Sequence, residues 1–231
     1  MANAKTQQKI LKTFLKLLAS HPYEDVSLPL LAREADVKLS DLRACFSSKR
    51  ALVEAFAEQI DKAVLDDRDD DMADQPARDR LFDVLMIRID QLAPYKDAMR
   101  ALHQALRKDP GLALEFNSIA VRSQKWMLVA AGIEIPALKG RLVTQGLAVA
   151  FARVVDTWLD EDDEGMPRTM SRLDKELDRG EGWLQRLDKA DKIASSLRRM
   201  AGGARRRRRK AEPDDWASEQ DDLGEQGSAA P

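Results

Sequence analysis

The sequence holds one cysteine and two histidines in 231 residues, and aromatics are only 5% of it. A single thiol allows no internal disulfide and no thiolate metal cluster, and it fits a reducing cytosol, so a cytoplasmic protein is expected. His21 and His103 are too few and too far apart in sequence to suggest a metal site. No apolar run approaches the roughly 20 residues that span a bilayer. The start, MANAKTQQKILKTFLKLL, is charged too regularly for a secretory signal. The long Val/Ile/Thr alternations of an all-β protein are missing. There is no phosphate-cradling glycine loop, no nucleophile motif and no ligand-spaced His or Cys. The expectation is therefore a non-enzyme with no catalytic residues, no metal and no cofactor.

What is present is a helix-forming set: Leu, Ala, Arg, Lys, Asp and Glu dominate, with 34% charged and 44% hydrophobic residues. The net charge of −2 hides local asymmetry. Residues 1–56 carry nine Lys/Arg against six Asp/Glu, whereas DDRDDDMADQ (66–75) has six aspartates and one arginine. Arg205–Lys210 reads RRRRRK, and the residues after it include seven acids and no base. Such charge runs are first of all solvated segments, and this one would add nonspecific DNA affinity or hold an anionic membrane.

Apolar periodicity predicts helices almost throughout. Ile10, Leu11, Phe14, Leu17 and Leu18 share one face of a first helix, broken by HPYEDVS (21–27). Ser27 is a good N-cap with Pro29 in the first turn of a second helix, whose inner face is Leu28, Leu31, Ala32 and Ala35. A turn at Asp36–Val37–Lys38 leads into a third helix, Leu39–Cys45, with Leu42 and Phe46 turned inward. Ser47 and Ser48 cap a longer fourth helix that begins with Leu52, Val53 and Phe56 on its inner face. Three helices in about fifty residues, the second and third joined tightly, make a helix-turn-helix unit. Farther on, Leu81–Ile89, Tyr95–Lys108, Leu112–Ala131, Ala137–Leu159 and Trp183–Met200 keep helical spacing between the breaks near Pro94, at 109–111, 132–136 and 160–167. From Gly202 onward, Gly, Ala, charge and Pro predict a disordered tail. The fold class expected is all-α: a helix-turn-helix domain at 1–60, an acidic connection at 61–75, a helical bundle at 76–201 and a tail at 202–231.

A short helix that projects from its neighbour, with polar ends, suits the major groove. Lys38, Ser40, Arg43 and Ala44 would face outward from the third helix, with Leu39 and Asp41 beside them. Lys5, Thr6 and Lys9 at the start of the first helix, and Ser48 and Lys49 at the start of the fourth, would meet phosphates.

The run ILKTFLKLLASHPYEDVSLPLLAREADVKLSDLRACFSSKRALVEAF resembles the N-terminal domain of TetR-type regulators over about forty residues. Its inner pattern is matched by Ile10, Leu11, Phe14, Leu18, Tyr23, Val26, Leu31, Ala32, Ala35, Val37, Leu42 and Phe46, and its closing Ser-Lys-x-x-Leu by Ser48, Lys49 and Leu52. The resemblance implies an all-helical homodimer on a palindromic double-stranded operator, with a C-terminal bundle that makes the dimer and encloses a small effector. This sequence departs from the pattern at Lys38, where a small polar residue is usual, and at Leu39, where a basic one is common. It departs again at Asp41 for Thr, Arg43 for a phosphate-touching Tyr and Cys45 for His. Asp41 would accept from a cytosine amino group, and Lys38 and Arg43 supply charge.

The segments RLFDVLMIRIDQLAPYKDAMRAL, DPGLAL, RSQKWMLVAAGI and TWLDED are similar to the TetR-like lipid-binding accessory proteins of coenzyme Q biosynthesis, over roughly 80–185. That likeness implies an isoprenoid or other hydrophobic ligand among Leu85, Ile89, Met99, Leu102, Phe116, Trp126, Met127 and Phe151. It also implies an alternative function, a lipid-binding protein without specific DNA binding, whose helix Trp183–Met200 lies on a membrane surface. The plainer reading makes these stripes a bundle core and Trp126 and Met127 packing residues. A DNA-binding regulator is the leading expectation, because the basic excess is concentrated in the head and the caps around Ser48 are intact.

Overall fold

The computed structural model describes residues 4–68, 72, 74–134, 137–180 and 182, and the helices below lie in the unit Met1–Glu181. The expected helix Trp183–Met200, the tail from 202 and the RRRRRK run lie outside the described residues.

The head is α1 (Ala4–Leu18), α2 (Leu28–Glu34) and α3 (Leu39–Cys45), followed by α4 (Lys49–Asp66). In α1 the expected face is buried, with Leu15 added to it. Ser27 caps α2, its hydroxyl accepting from the Leu30 N–H at 3.2 Å, and Pro29 occupies the first turn. Tyr23 and Val26 plug the loop before α2 into the core. All four helices share one interior of Phe14, Leu31, Leu42, Leu52 and their neighbours, so the head is held by apolar packing across sequence-distant turns.

α4 runs on through Asp61–Asp66, residues assigned from sequence to the acidic connection. Asp61 is buried, and it is tolerated there because Arg88 neutralises it. The body comprises α5 (Ala77–Leu92), a 3-10 turn (Ala93–Tyr95), α6 (Lys96–Lys108), α7 (Pro110–Ala130) and α8 (Ala137–Leu159). A further helix, α9, covers 167–180. Asp109 both ends α6 and caps α7, accepting from Gly111 N at 2.8 Å and Leu112 N at 3.1 Å. α7 ends in a Schellman turn at Gly132, whose φ of +63° suits glycine.

The sequence patterning predicts no element between the break at 160–167 and Trp183, because the stripe of α9 is thin: Leu173 and Leu177 are its buried leucines. Polar contacts hold it instead. Glu161 caps it, accepting from Arg168 N at 2.7 Å, Thr169 N at 2.8 Å and the Thr169 hydroxyl at 2.6 Å. Arg78 on α5 donates to Asp178 at 2.7 and 3.0 Å. The Glu176 carboxylate is ringed by Arg153, Arg172 and Arg179 at 2.8–3.2 Å.

Against the expectation from the sequence that no apolar run is long enough, α8 from Gly140 to Leu159 is long and apolar enough, by length and composition, to cross a bilayer. Its Val154, Val155, Trp158 and Leu159 are nevertheless buried against the bundle. A core helix passes the same test.

Candidate functional site

The turn between α2 and α3 sets the outward helix. Asp36 takes φ +48°, in the left-handed region that Asp enters more readily than most side chains. Its N–H bonds Arg33 O and the Val37 N–H bonds Ala32 O, both at 3.0 Å, which is a Schellman closure with Asp36 where glycine is usual. Lys9, expected at a phosphate, donates to the Asp36 carbonyl at 3.2 Å and sits 3.4 Å from its carboxylate. It therefore ties α1 to this turn, although half of its side chain stays exposed.

On α3 the alternation of sides is sharp. Leu42 and Phe46 are buried and Cys45 half-buried, while Lys38, Leu39, Ser40, Asp41, Arg43 and Ala44 are all exposed. Leu39 is 52% exposed, an unusual surface position for leucine. Lys38 takes the N-cap position, and its side chain makes no cap. Asp41 in the first turn complements the positive end of the helix dipole, so it has a structural use independent of any base. Burial, and then the Asp41 charge, push the Cys45 thiol up, which suppresses thiolate chemistry. Lys38 and Arg43 make no ion pair among the described residues.

At the start of α4 the Ser48 hydroxyl accepts from Ala51 N at 3.2 Å. Lys49 donates to the Tyr23 carbonyl at 2.8 Å, with its ammonium 4.1 Å from the Tyr23 ring centroid. Burial pulls its pKa down, opposed by Glu24 and Asp25. Lys49 thus braces the 21–27 loop against α4 and adds charge from a fixed position. Lys5 is exposed and Thr6 half-buried near the start of α1.

The body holds a half-open cavity of about 430 Å³ between α4, α5, α6, α7 and α8. Of the eight residues expected there, Met99, Leu102, Phe116 and Phe151 line it. Leu85, Ile89 and Met127 are fully buried in the core and are not on its wall, and Trp126 points outward with 48% exposure. Spacing identifies a buried face; it does not say what lies in front of that face.

Arg88, Ser123 and Gln124, all buried and on the wall, were not foreseen. Arg88 Nη1 donates to Asp61, as does the Ser123 hydroxyl, and the guanidinium lies 5.7 Å from the Phe151 ring centroid. Burial pulls the Arg88 pKa down and Asp61 opposes that. A signal did exist: Arg88 falls at helical spacing within the stripe Leu85–Ile89–Leu92, and Asp61 between Ile60 and Val64 of another.

The cavity and the head touch. Val53, Phe56 and Ile60 of α4 line the cavity, and α4 begins at Lys49, just after α3 ends at Cys45. Phe116 on the opposite wall packs edge-on against Tyr23 of the head, at 5.9 Å between centroids.

No family model and no curated protein matches the sequence, so the likeness of 80–185 to the coenzyme Q accessory proteins gains no support there. Solved structures do match. A TetR transcriptional regulator from Nitrosomonas europaea superposes with a TM-score of 0.61 at 20% identity, covering 78% of this chain and 99% of that one. A TetR transcriptional regulator from Rhodococcus sp. RHA1 gives 0.58 at 19% identity, covering 76% and 96%. A TetR-family regulator from Streptomyces coelicolor gives 0.52 at 17% identity, covering 93% of each chain.

Proposed function

We propose that this chain, which has the TetR-type fold, is a cytoplasmic DNA-binding transcriptional regulator that acts as a homodimer on a roughly palindromic operator. The observation that carries the reading is the outward side of α3, where six consecutive or near-consecutive side chains, Lys38 to Ala44 with only Leu42 turned in, stand in solvent. Lys38 and Arg43 approach phosphates or guanine edges, Ser40 and Ala44 sit close to the bases, and Asp41 accepts from a cytosine amino group. The exposed Leu39 meets a thymine methyl. Lys5, Thr6, Lys9, Ser48 and Lys49 hold the sugar–phosphate backbone and set the register of the head.

A second copy would cover apolar side chains left exposed on α7 and α8, among them Trp126, Val129, Leu142 and Val149. A hydrophobic effector would occupy the body cavity. Because α4 is at once a wall of that cavity and the helix that follows α3 across the turn at 46–48 and packs on α1, an occupant that prefers one placement of α4 shifts the population of head spacings. The mechanism assigns no bond-making step to any residue.

The test is selection of genomic fragments, including the gene's own upstream region, by the full chain, followed by sequencing of what is retained. A shared inverted repeat among retained fragments supports the regulator. Retention without any common sequence contradicts it.

A further inference from the structure

The polar groups on the cavity wall divide into two kinds. Most are satisfied by protein. The Asn117 amide exchanges two hydrogen bonds with Gln145 at 2.9 and 3.0 Å, His103 meets Asp156 at 3.2 Å, and the Ser123 hydroxyl is held by Asp61. Two are not. Gln124 is 2% exposed, and its side-chain oxygen has no partner among the described residues. Arg88 is 7% exposed, and among the described residues only its Nη1 finds acceptors, Asp61 and the Met127 sulfur at 3.7 Å, while Nε is buried without one. A buried amide oxygen without a donor and a buried guanidinium N–H without an acceptor are costly beside apolar walls, and native proteins rarely keep them without use. Both belong to the same cavity, whose other walls are Val53, Phe56, Ile60, Leu102, Phe116 and Phe151.

We propose that this cavity selects a neutral, mostly apolar molecule bearing a carbonyl oxygen, received between Arg88 and Gln124. The proposal rests on the effector part of the function proposed above and names its chemistry. A carbonyl oxygen has two lone pairs, one for an N–H of Arg88 that Asp61 does not take and one for the N–H of the Gln124 amide. The apolar remainder fills the aromatic and aliphatic walls, and about 430 Å³ falls within the range of small-ligand sites. Charge decides against an acid. Asp61 already balances the guanidinium, so a carboxylate would leave a net negative charge in a low-dielectric space. A carbonyl adds none.

The test uses the full chain, without DNA, at pH 7, and a matched set of three probes: butylbenzene, benzylacetone and 3-phenylpropanoate. Dissociation constants are measured by calorimetric titration for the wild type and for Gln124→Leu, a near-isosteric change at a side chain that no group among the described residues hydrogen-bonds. The wild type is expected to bind benzylacetone and to refuse 3-phenylpropanoate. Gln124→Leu is expected to weaken benzylacetone about tenfold and to leave butylbenzene as tight or tighter. The double variant Asp61→Leu with Arg88→Met, which removes both charges together and leaves Gln124 in place, is expected to cut the ketone's advantage over the hydrocarbon to what the Gln124 amide alone supplies. The proposal is overturned if the wild type takes up no ketone, if the carboxylate binds more tightly than the ketone, or if Gln124→Leu changes ketone and hydrocarbon alike. Fragment selection is unaffected by any of these results, so a failure of ligand chemistry and a failure of DNA recognition are read separately.

Discussion

Tyr23 and Phe116 meet edge to face, with ring planes at 88°, and through that contact the loop of the head rests on the wall of the body cavity. The same tyrosine gives its carbonyl to Lys49 at the start of α4, so one residue joins cavity, loop and head. Burial, and then the charge of Glu115, push the Tyr23 phenol up to about 12 from an ordinary value of 10.0. The folded state therefore keeps this proton after the unfolded chain has lost it. Its contribution to stability is complete below pH 10 and is lost as the pH rises from about 10 through about 12. The difference in unfolding free energy between wild type and Tyr23→Phe, followed by urea melts, should change across that window and be flat below it. A pH-independent difference from pH 8 to 12 would contradict the burial of this phenol.

Asp61 and Arg88 are a buried pair, and removing one partner strands the other. Arg88→Met alone should cost about 3–5 kcal/mol, and Asp61→Leu alone a similar amount. The double replacement should cost much less than their sum, because no unpaired charge is left. Denaturant unfolding of the four proteins measures this, and additive losses would show that the two charges are independently solvated.

Gln124→Leu should raise stability, by about 1 kcal/mol or more, since it removes a buried amide without a protein partner. A loss of stability in thermal melts would mean that the amide is held by the fold.

Asp36 occupies a left-handed turn that glycine accepts without penalty. Asp36→Gly should be neutral or slightly stabilising, while Asp36→Val should cost about 1–2 kcal/mol through its branched Cβ. Equal melting temperatures for the two variants would contradict the left-handed backbone at this turn.

The head was legible because its signals are local. Ser27 with Pro29, and Ser48 before Lys49, announce helix starts, and α3 ran from Leu39 to Cys45 as its pattern indicated. The helix over 167–180 was not legible, because Leu173 and Leu177 are too thin a stripe and its anchors, Arg78 and Glu161, lie far off or upstream. Partnerships were also hidden. Nothing in the order of residues says that Lys9 will turn to Asp36, that Lys49 will clasp Tyr23, or that Asp61 of α4 will find Arg88 of α5. Of the eight residues expected at the cavity, Met99, Leu102, Phe116 and Phe151 line it, yet periodicity treats Leu85 and Met99 alike, although one is core and the other faces the space. Arg88 and Gln124 were missed because a polar residue inside an apolar stripe reads as noise until its neighbours are known.

The central claim is that the outer side of α3 reads a duplex. Its most direct measurement is binding of a retained genomic fragment across a salt series, by the wild type, Lys38→Ala and Arg43→Ala. The account predicts a steep linear fall of log affinity with log salt for the wild type. Either substitution should weaken binding, with a slope shallower by about one where the lost contact is to phosphate, or a relaxed preference where it is to a base. Weak, sequence-indifferent binding by the wild type, or a salt series for Arg43→Ala that overlays it, would contradict the account.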